Sequence, residues 1–325
     1  MNFLCYLLTK KEFIYLGVNI MNWHGKRYYS FDSFLKNYFG EKVYKVSLDG
    51  GFTCPNRDGT IGTGGCIFCS EGGSGDFASS CDLSVSEQIT VGIDMVSKKI
   101  ENGKYIAYFQ AFTNTYGPIE KLEALYMEAV KDPRIIALAI GTRPDCLPPE
   151  VLELLDRLNK IKPVFVELGL QTIHEKSASF IRRGYPLSCF NEAVLNLQKI
   201  GMFTVVHLIL GLPGETEDMM IQSVRYLNDL PIHGVKFSML HILKHTDLAL
   251  YYEEHPFEVF TLESYVDLLL KCIRNLDPDI VIHRLTGDGP KDLLIAPTWS
   301  LHKRKVLNMI AHEMKILNIR QGDLL

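Results

Sequence analysis

The chain has 325 residues, of which 47% are apolar and 22% charged, as is usual for a folded globular protein. Its 34 basic and 38 acidic residues give a net charge of −4, which excludes a polycation that binds nucleic acid through its overall field. No run of about 18 uncharged apolar residues occurs, so the sequence predicts no membrane span, and we expect a cytoplasmic protein.

The N-terminal segment does not resemble an export signal. Its apolar run from Phe3 to Leu8 is short, and Lys10, Lys11 and Glu12 follow it directly. Met21 opens a second candidate start, so residues 1–20 are either part of the protein or a mis-assigned extension. We treat residues 1–39 as an N-terminal extension.

Short β-branched runs alternate with helical stretches over most of the chain. Strands are predicted at 43–48, 105–112, 134–142, 163–172, within 203–216 and at 234–243. Helices are predicted at 84–101, 119–131, 148–160, 190–200 and 218–230. This alternation indicates parallel β/α units with right-handed crossovers. We therefore predict an α/β fold with a partial (β/α)6 barrel over residues 40–245, and an open doubly wound sheet is the alternative.

The remaining residues, 246–325, are predicted to form a C-terminal α/β extension that packs on the barrel. Its elements are expected at 264–276, 281–285 and 300–316.

Three of the eight cysteines cluster directly after the first predicted strand. Cys54, Cys66 and Cys69 form a C-x11-C-x2-C pattern within a glycine-rich loop. Three thiolates on a four-iron cube leave one iron without a protein ligand, which favours an iron–sulfur centre with an open site. A four-cysteine zinc site that includes Cys81 is the alternative.

The stretch Ser47 to Cys69 reads SLDGGFTCPNRDGTIGTGGCIFC. It resembles the radical S-adenosylmethionine (SAM) superfamily, and within it the YhcC/YtqA-like subfamily that carries SLDxGFTCPNRDGTxGxGGCxFC and includes MnmL-type tRNA wobble-uridine enzymes. The first cysteine spacing is longer than the superfamily's common C-x3-C-x2-C. The resemblance begins near Trp23 and extends over nearly all of the following chain.

The resemblance implies a partial (β/α)6 barrel with two cofactors, a [4Fe–4S] cluster held by Cys54, Cys66 and Cys69, and SAM. Reductive cleavage of SAM would give a 5′-deoxyadenosyl radical, with electrons from a donor such as flavodoxin or ferredoxin. Phe68 is expected to pack near the adenine of SAM.

Active sites of β/α barrels lie at the carboxyl ends of the strands, so polar residues there are candidates. The end of the second strand corresponds to the segment that binds the SAM amino group in the superfamily. Its polar residues Gln110, Thr113 and Asn114 are therefore candidate SAM ligands, and an ordinary strand-to-helix turn is the alternative. Glu167 and Gln171 share one face of the fourth strand and are assigned to the SAM ribose.

Further candidates follow along the chain. One of the arginines at 182 and 183, with Arg183 preferred, is expected to bind the SAM carboxylate. The fifth strand and its GxPGET-like turn supply three more SAM candidates, which are His207, Gly211 and Gly214. Candidate substrate residues are Lys236, His241, Arg143 and Asp145. For Arg143 and Asp145, pairing with each other is the alternative.

The C-terminal segment 291–320 holds six Lys/Arg and two acidic residues, a local net charge of +4 in an acidic protein. Lys303, Arg304 and Lys305 lie in it as candidate phosphate contacts, and Trp299 and His302 as candidate stacking residues, although such a run is also typical of a solvated helix face.

The subfamily resemblance implies a tRNA substrate and conversion of 5-carboxymethylaminomethyluridine to 5-aminomethyluridine. Two alternatives remain at this point. One is radical SAM chemistry on another RNA position or a small metabolite, and the other is a non-catalytic, zinc-stabilised RNA-binding protein.

Overall fold

The computed structural model describes residues 22–73, 75, 78–97 and 103–325. Residues 1–20 lie outside this part of the chain, so the structure does not bear on which methionine is the start. The end of the helix predicted at 84–101 also lies outside it.

A seven-stranded parallel sheet forms the centre of the molecule, in the order β1-β2-β3-β4-β5-β6-β8. Its strands are β1 Val43–Leu48, β2 Lys104–Phe109, β3 Ile135–Thr142, β4 Val164–Gln171, β5 Phe203–Leu210, β6 Gly234–Met239 and β8 Val281–Arg284. Each strand pairs with the next in chain order, apart from the short β7 (Ile242–Leu243), which leaves the sheet. A doubly wound sheet would reverse direction at a switch point, so this order excludes that alternative.

Helices cover the outer face of the sheet. In chain order they are α1 Phe31–Phe39, α2 Val85–Ser97, α3 Ile119–Lys131, α4 Pro149–Asn159, α5 Glu175–Phe180, α6 Leu187–Lys199, α7 Glu217–Asn228, α8 Asp247–Glu254, α9 Leu262–Arg274 and α10 Lys303–Ile316. The largest apolar core lies between these helices and the strands. Strands such as β2 and β6 are almost continuously buried, since both of their faces are covered.

The sheet curls into a half-barrel. Side chains of strands that are not neighbours meet in its interior, where Glu167 on β4 contacts Lys45 on β1 and Lys236 on β6. A flat sheet would hold β1 and β4 three strand spacings apart, about 14 Å. The predicted partial barrel is therefore confirmed.

Helix α1 closes the amino-terminal end of the barrel. Phe31 packs edge-on against Phe165 of β4 and stacks on His283 of β8. Phe34 contacts Phe165 and Phe203. This aromatic plug leaves the carboxyl ends of the strands as the open end of the barrel.

The seventh strand comes from the part of the chain that was predicted to lie outside the barrel. Ile282 of β8 pairs with Val235 of β6, and Lys236 pairs with Arg284. A short run, VIHR, gave no sign of its position in the sheet, because sheet order depends on the packing of α9 before it. The strand β7 pairs antiparallel with β9 (Leu294–Ala296).

Local signals explain most element boundaries. Thr216 caps α7 by accepting a hydrogen bond from the Met219 backbone, as its position predicts. Helix α6 begins earlier than predicted, directly after Pro186, and the short α5 was not predicted. In the described residues, none of the helices has the length and apolarity that a membrane crossing requires.

Candidate active site

A cavity of about 640 Å³ opens at the carboxyl ends of the strands. The predicted site residues that line it are Cys54, Cys66, Phe68, Cys69, Gln110, Thr113, Arg143, Glu167, Gln171, Arg183, His207, Lys236, His241 and Lys303. Those that do not line it are Asn114, Asp145, Gly211, Gly214, Arg304 and Lys305. The fold thus brings most of the candidates to one place.

The loop that carries the three cysteines is fixed by its own backbone and by α5. Gly65 N donates to the Asn56 carbonyl at 2.7 Å, and Ile67 N donates to the carbonyl of Ile181 just after α5. The Asn56 amide reaches the Arg182 carbonyl at 2.7 Å. Because both sides of the loop are tied down, the thiols have defined positions on the cavity wall.

The thiols of Cys66 and Cys69 are hydrogen-bonded to each other and differ in acidity. Cys66 accepts a hydrogen bond from Cys69, and this bond, with the positive charge of Arg143 and Arg57 and the amide of Asn56, lowers the pKa of Cys66 to about 7 despite its burial. The same bond, burial and the Cys66 charge raise the pKa of Cys69 well above its usual value. Cys66 therefore loses its proton more readily than Cys69, and both thiols must be deprotonated to bind a metal centre.

The donor set fits a four-iron cluster. Three cysteines are available, and a cube places each thiolate on a different iron, so the sulfurs need not converge on one point. In the described part of the chain, no three His, Cys, Asp or Glu side chains converge as ligands of a single ion. Cys81, the fourth ligand of the zinc alternative, is exposed and does not line the cavity.

A layer of charged side chains forms the floor of the cavity, above the aromatic plug. The fully buried Glu167 accepts from Lys45 Nζ through Oε1 at 2.6 Å. Its Oε2 accepts from His207 Nε2 at 3.0 Å and from Lys236. Tyr108 lies under both lysines, with its ring centroid 4.6 Å from Lys45 Nζ and 4.5 Å from Lys236 Nζ.

The charged side chains of this layer stabilise one another by ion pairing. Burial alone would raise the pKa of Glu167, but Lys236, Lys45 and His207 outweigh it and hold that pKa well below its usual range. Burial lowers the pKa of His207 to about 4, so the ring is neutral near pH 7 and donates its N–H. Glu167 has protein partners on both oxygens and also lines the cavity, and its role as a ligand of the SAM ribose stays a prediction.

Gln171 differs from Glu167 in its position on the strand and in its backbone conformation. It ends β4 with a φ of +66°, which is uncommon outside glycine, and its side chain folds back toward the cavity over Gly169. A Cβ on Gly169 would lie 2.8 Å from Gln171 Nε2, so this fold-back needs glycine. Non-glycine residues in this conformation concentrate at functional sites.

Several predicted SAM ligands have structural roles. Arg183 is 2% exposed and donates to the carbonyls of Leu170, Thr172 and Tyr185 and to Glu175 Oε1, so it joins the end of β4 to α5. The neighbouring Arg182 has a φ of +56° and pairs with Asp247 at the surface. Arg182 does not line the cavity, whereas Arg183 does, and the contact of Arg183 with the SAM carboxylate stays a prediction.

Two further assignments change in the same way. The side-chain amide of Asn114 donates to the Gly141 carbonyl at 2.9 Å and so connects the ends of β2 and β3. Gly211 and Gly214 have φ values of +89° and +83°, and the space beside Gly211 is filled by Phe260. Both glycines therefore form the turn after β5, and neither lines the cavity.

The cavity rim carries the remaining candidates. Arg143 and Asp145 form a two-point ion pair at 2.9 and 2.7 Å, and the guanidinium lies over the Tyr185 ring. His241 contacts Ser300 Oγ at 3.2 Å, and burial lowers its pKa to about 4. Lys303, at the start of α10, pairs with Asp288.

The basic residues that follow it, Arg304 and Lys305, are exposed beside the rim. Trp299 is half-buried against Tyr265 and donates its N–H to the Phe260 carbonyl, so it is not free to stack on a base.

Four residues of the cavity floor were not predicted: Lys45, Tyr108, Ser238 and Arg284. Lys45 and Tyr108 interrupt apolar strands with polar groups, which was the only available signal in the sequence. Arg284 donates to Ser238 Oγ at 2.6 Å, but its position on β8 could be seen only from the sheet order.

We expect Arg183→Lys to lower the free energy of unfolding by about 2–3 kcal/mol, because an ammonium cannot reproduce the fork that serves three carbonyls in a buried site. Urea unfolding measures this loss. Arg157→Lys, at a position where the side chain is 52% exposed, is the control and should change stability by less than about 0.5 kcal/mol. Equal effects of the two substitutions would contradict the structural role of Arg183.

Comparison with known proteins agrees with this geometry. Residues 57–227 match the model of the Radical SAM superfamily, and residues 232–316 match that of the Radical_SAM C-terminal domain. Protein YtqA of Bacillus subtilis is 42% identical over 297 residues, which cover 91% of this chain and 92% of YtqA. Protein YhcC of Escherichia coli is 37% identical, over 80% of this chain and 84% of YhcC.

More distant similarities point to two further proteins. The tRNA uridine(34) acetyltransferase of Methanocaldococcus jannaschii is 26% identical over 53% of this chain and 32% of its own length. The structure of the archaeal Methanocaldococcus infernus Elp3 superposes with a TM-score of 0.66 at 17% identity, over 86% of this chain and 64% of that one, and shows a shared fold. The chain therefore belongs to the radical SAM superfamily and is an enzyme whose cofactors are a [4Fe–4S] cluster and S-adenosylmethionine.

Proposed function

We propose that this enzyme modifies the wobble uridine of tRNA, converting 5-carboxymethylaminomethyluridine to 5-aminomethyluridine, as MnmL-type members of the subfamily do. The observation that carries the proposal is the exposed basic start of α10 at the rim of the cavity, where Lys303 itself lines the opening. Similarity to a tRNA uridine(34) acetyltransferase supports the same substrate class.

In this proposal, Cys54, Cys66 and Cys69 hold the cluster. When bound and reduced, it supplies the electron that cleaves SAM to the radical that takes a hydrogen atom from the substrate. The chain's own residues do the rest. Arg143 and Arg57 favour the thiolate form of Cys66, and Phe68 offers the apolar surface beside the thiols.

The barrel protects the reaction and orients the ligands. The aromatic plug at Phe31 and Phe165 closes the amino-terminal end of the barrel and shields a bound ligand from water on that side. Gln110 and Gln171 present amides to the cavity and are the proposed polar contacts for SAM. An electron donor such as flavodoxin or ferredoxin is the proposed partner that reduces the cluster.

The zinc-stabilised, non-catalytic alternative does not hold, because the chain belongs to an enzyme superfamily and Cys81 lies away from the other thiols. The direct test of the proposal is the reconstituted enzyme with SAM, a reductant and tRNA from a strain that lacks this gene. Mass analysis of the nucleosides should show 5-carboxymethylaminomethyluridine replaced by 5-aminomethyluridine. An unchanged nucleoside, together with SAM cleavage, would contradict the proposed substrate.

Replacing the two exposed rim cations, in Arg304→Ala/Lys305→Ala, should weaken tRNA binding and reduce the slope of log affinity against log salt by about 1–2, because each phosphate contact releases counterions. Filter binding across a salt series measures the slope. Arg157→Ala/Lys160→Ala, which removes two exposed cations from α4 on the outer face, should leave it unchanged. Equal slopes in the two double variants would remove α10 from the tRNA-binding surface.

A further inference from the structure

The floor of the cavity holds more cations than anions. Lys45 and Lys236 both pair with the single carboxylate of Glu167, and Arg284 lies close enough to Lys236 to act on its charge. Lys45 contacts Glu167 but does not itself line the cavity, whereas Lys236 and Arg284 both line it. Asp288 at the rim already pairs with Lys303 at 2.8 Å and lies 3.9 Å from Arg284. These described side chains leave an excess of two positive charges.

The two lining cations are direct neighbours. Lys236 on β6 and Arg284 on β8 are register partners on adjacent strands. Like charges in such positions are destabilising, and buried charges are costly unless they are used. Arg284 Nε is also buried without a hydrogen-bond partner, although NH2 of the same group donates to Ser238. The arrangement is that of a site for an anion.

The depth of this site separates it from both the thiols and the nucleic-acid backbone. Lys236 lies three residues before the end of β6, about 10 Å down the strand at 3.3 Å per residue, and Arg284, the last residue of β8, lies above it; the cysteine loop follows the end of β1. Lys236 is 8% exposed on its side chain. A backbone phosphate, which stays at the rim, does not reach this depth, so the anion belongs to the group that enters the cavity.

We propose that Lys236 and Arg284 bind a carboxylate of the substrate at the floor of the cavity, which makes them specificity-determining residues. The inference rests on the proposed function, for which the carboxylate is that of the carboxymethylamino group on the uridine. A neutral uridine side chain would form no ion pair with the two cations and would bind more weakly.

The test uses the reconstituted enzyme with saturating SAM and no reductant, so that nothing turns over. Isothermal titration at about pH 6.5, where the amines of both compounds are mainly protonated, compares the nucleoside 5-carboxymethylaminomethyluridine with its methyl ester, which lacks the carboxylate charge. The acid should bind about 10- to 100-fold more tightly than the ester. Lys236→Met and, independently, Arg284→Gln should abolish this preference, and the exposed Lys160→Met should retain it.

The pH dependence gives a second readout. Burial, with the charges of Lys45 and Arg284, lowers the pKa of Lys236 to about 7, although Glu167 opposes this. The other groups that face it do not titrate near pH 7, since Tyr108 has a raised pKa and His207 and His283 have lowered ones. Carboxylate binding raises the pKa of Lys236, so the acid's affinity should be full below pH 7 and fall above it, and Lys236→Met should lack this fall in affinity for the acid.

Equal binding of acid and ester by the unsubstituted enzyme, or binding of neither, overturns the inference. So does a loss of SAM affinity in Lys236→Met that matches its loss of acid affinity, because the site would then serve the carboxylate of SAM. Whether the enzyme converts the tRNA nucleoside is a separate test, and it tests the proposed function. An enzyme that converts tRNA but does not distinguish acid from ester would retain its function and lose this site.

Discussion

Cys69→Ala is expected to lose its iron and labile sulfide after anaerobic reconstitution and to lose reductive SAM cleavage. Cys69 is one of three thiols on the cavity wall. Its thiol is hydrogen-bonded to that of Cys66, and Arg57 donates to its backbone carbonyl at 3.3 Å. Loss of an outer partner of a metal ligand typically lowers metal affinity 10- to 100-fold, so removal of a ligand itself should cost more than about 100-fold.

The matched control is Cys81→Ala. Cys81 is twelve positions beyond Cys69 in the sequence but exposed and outside the cavity lining. It should retain iron, sulfide and SAM cleavage. If Cys81→Ala loses iron as Cys69→Ala does, the ligand set is different from the one proposed. If Cys69→Ala still cleaves SAM, the cluster assignment is wrong.

Glu167→Gln is expected to lower the free energy of unfolding by about 3–5 kcal/mol, the usual consequence of removing one partner from a buried ion pair. The change leaves Lys45 and Lys236 without their carboxylate in a site where Glu167 is fully buried. Urea unfolding measures the loss. Asp156→Asn, which breaks the exposed pair with Lys160, should cost less than about 1 kcal/mol.

A double variant and the pH dependence of stability give two further tests of this prediction. Glu167→Gln/Lys236→Met removes one charge of each sign and should recover part of the lost stability, since contacting residues couple by about 0.5–3 kcal/mol. The lowered pKa of Glu167 means that its stabilising contribution is present above its unfolded pKa of about 4.3 and is lost as the pH falls toward the folded value. The deficit of Glu167→Gln should therefore narrow below about pH 4, and a deficit independent of pH would contradict the ion pairing.

The sequence predicted the barrel because its strands and helices alternate with clear periodicity and each strand is bounded by local signals. It also predicted that Cys54, Cys66 and Cys69 lie beside the polar ends of the other strands, since parallel strands bring those ends to one edge. Both predictions depend on order along the chain, which a single sequence displays directly.

The predictions that changed depend on which way a side chain points. Two adjacent arginines look equivalent in the sequence, but the positive φ of Arg182 turns it to the surface and leaves Arg183 buried among carbonyls. Arg284 reaches the cavity only because β8 pairs with β6, across an intervening segment of more than 40 residues, from 240 to 280. Long-range pairing of this kind has no local pattern in the sequence.

The measurement that tests the account most directly is the nucleoside mass profile of bulk tRNA from a strain that lacks this gene, compared with its parent. The strain is complemented with the unsubstituted gene, with Cys81→Ala or with Cys69→Ala. We predict that 5-carboxymethylaminomethyluridine accumulates and 5-aminomethyluridine products disappear in the deletion strain, and that the first two genes restore the parental profile whereas Cys69→Ala does not. Identical profiles in deletion and parent would contradict the wobble-uridine function, and restoration by Cys69→Ala would contradict the role of the cluster.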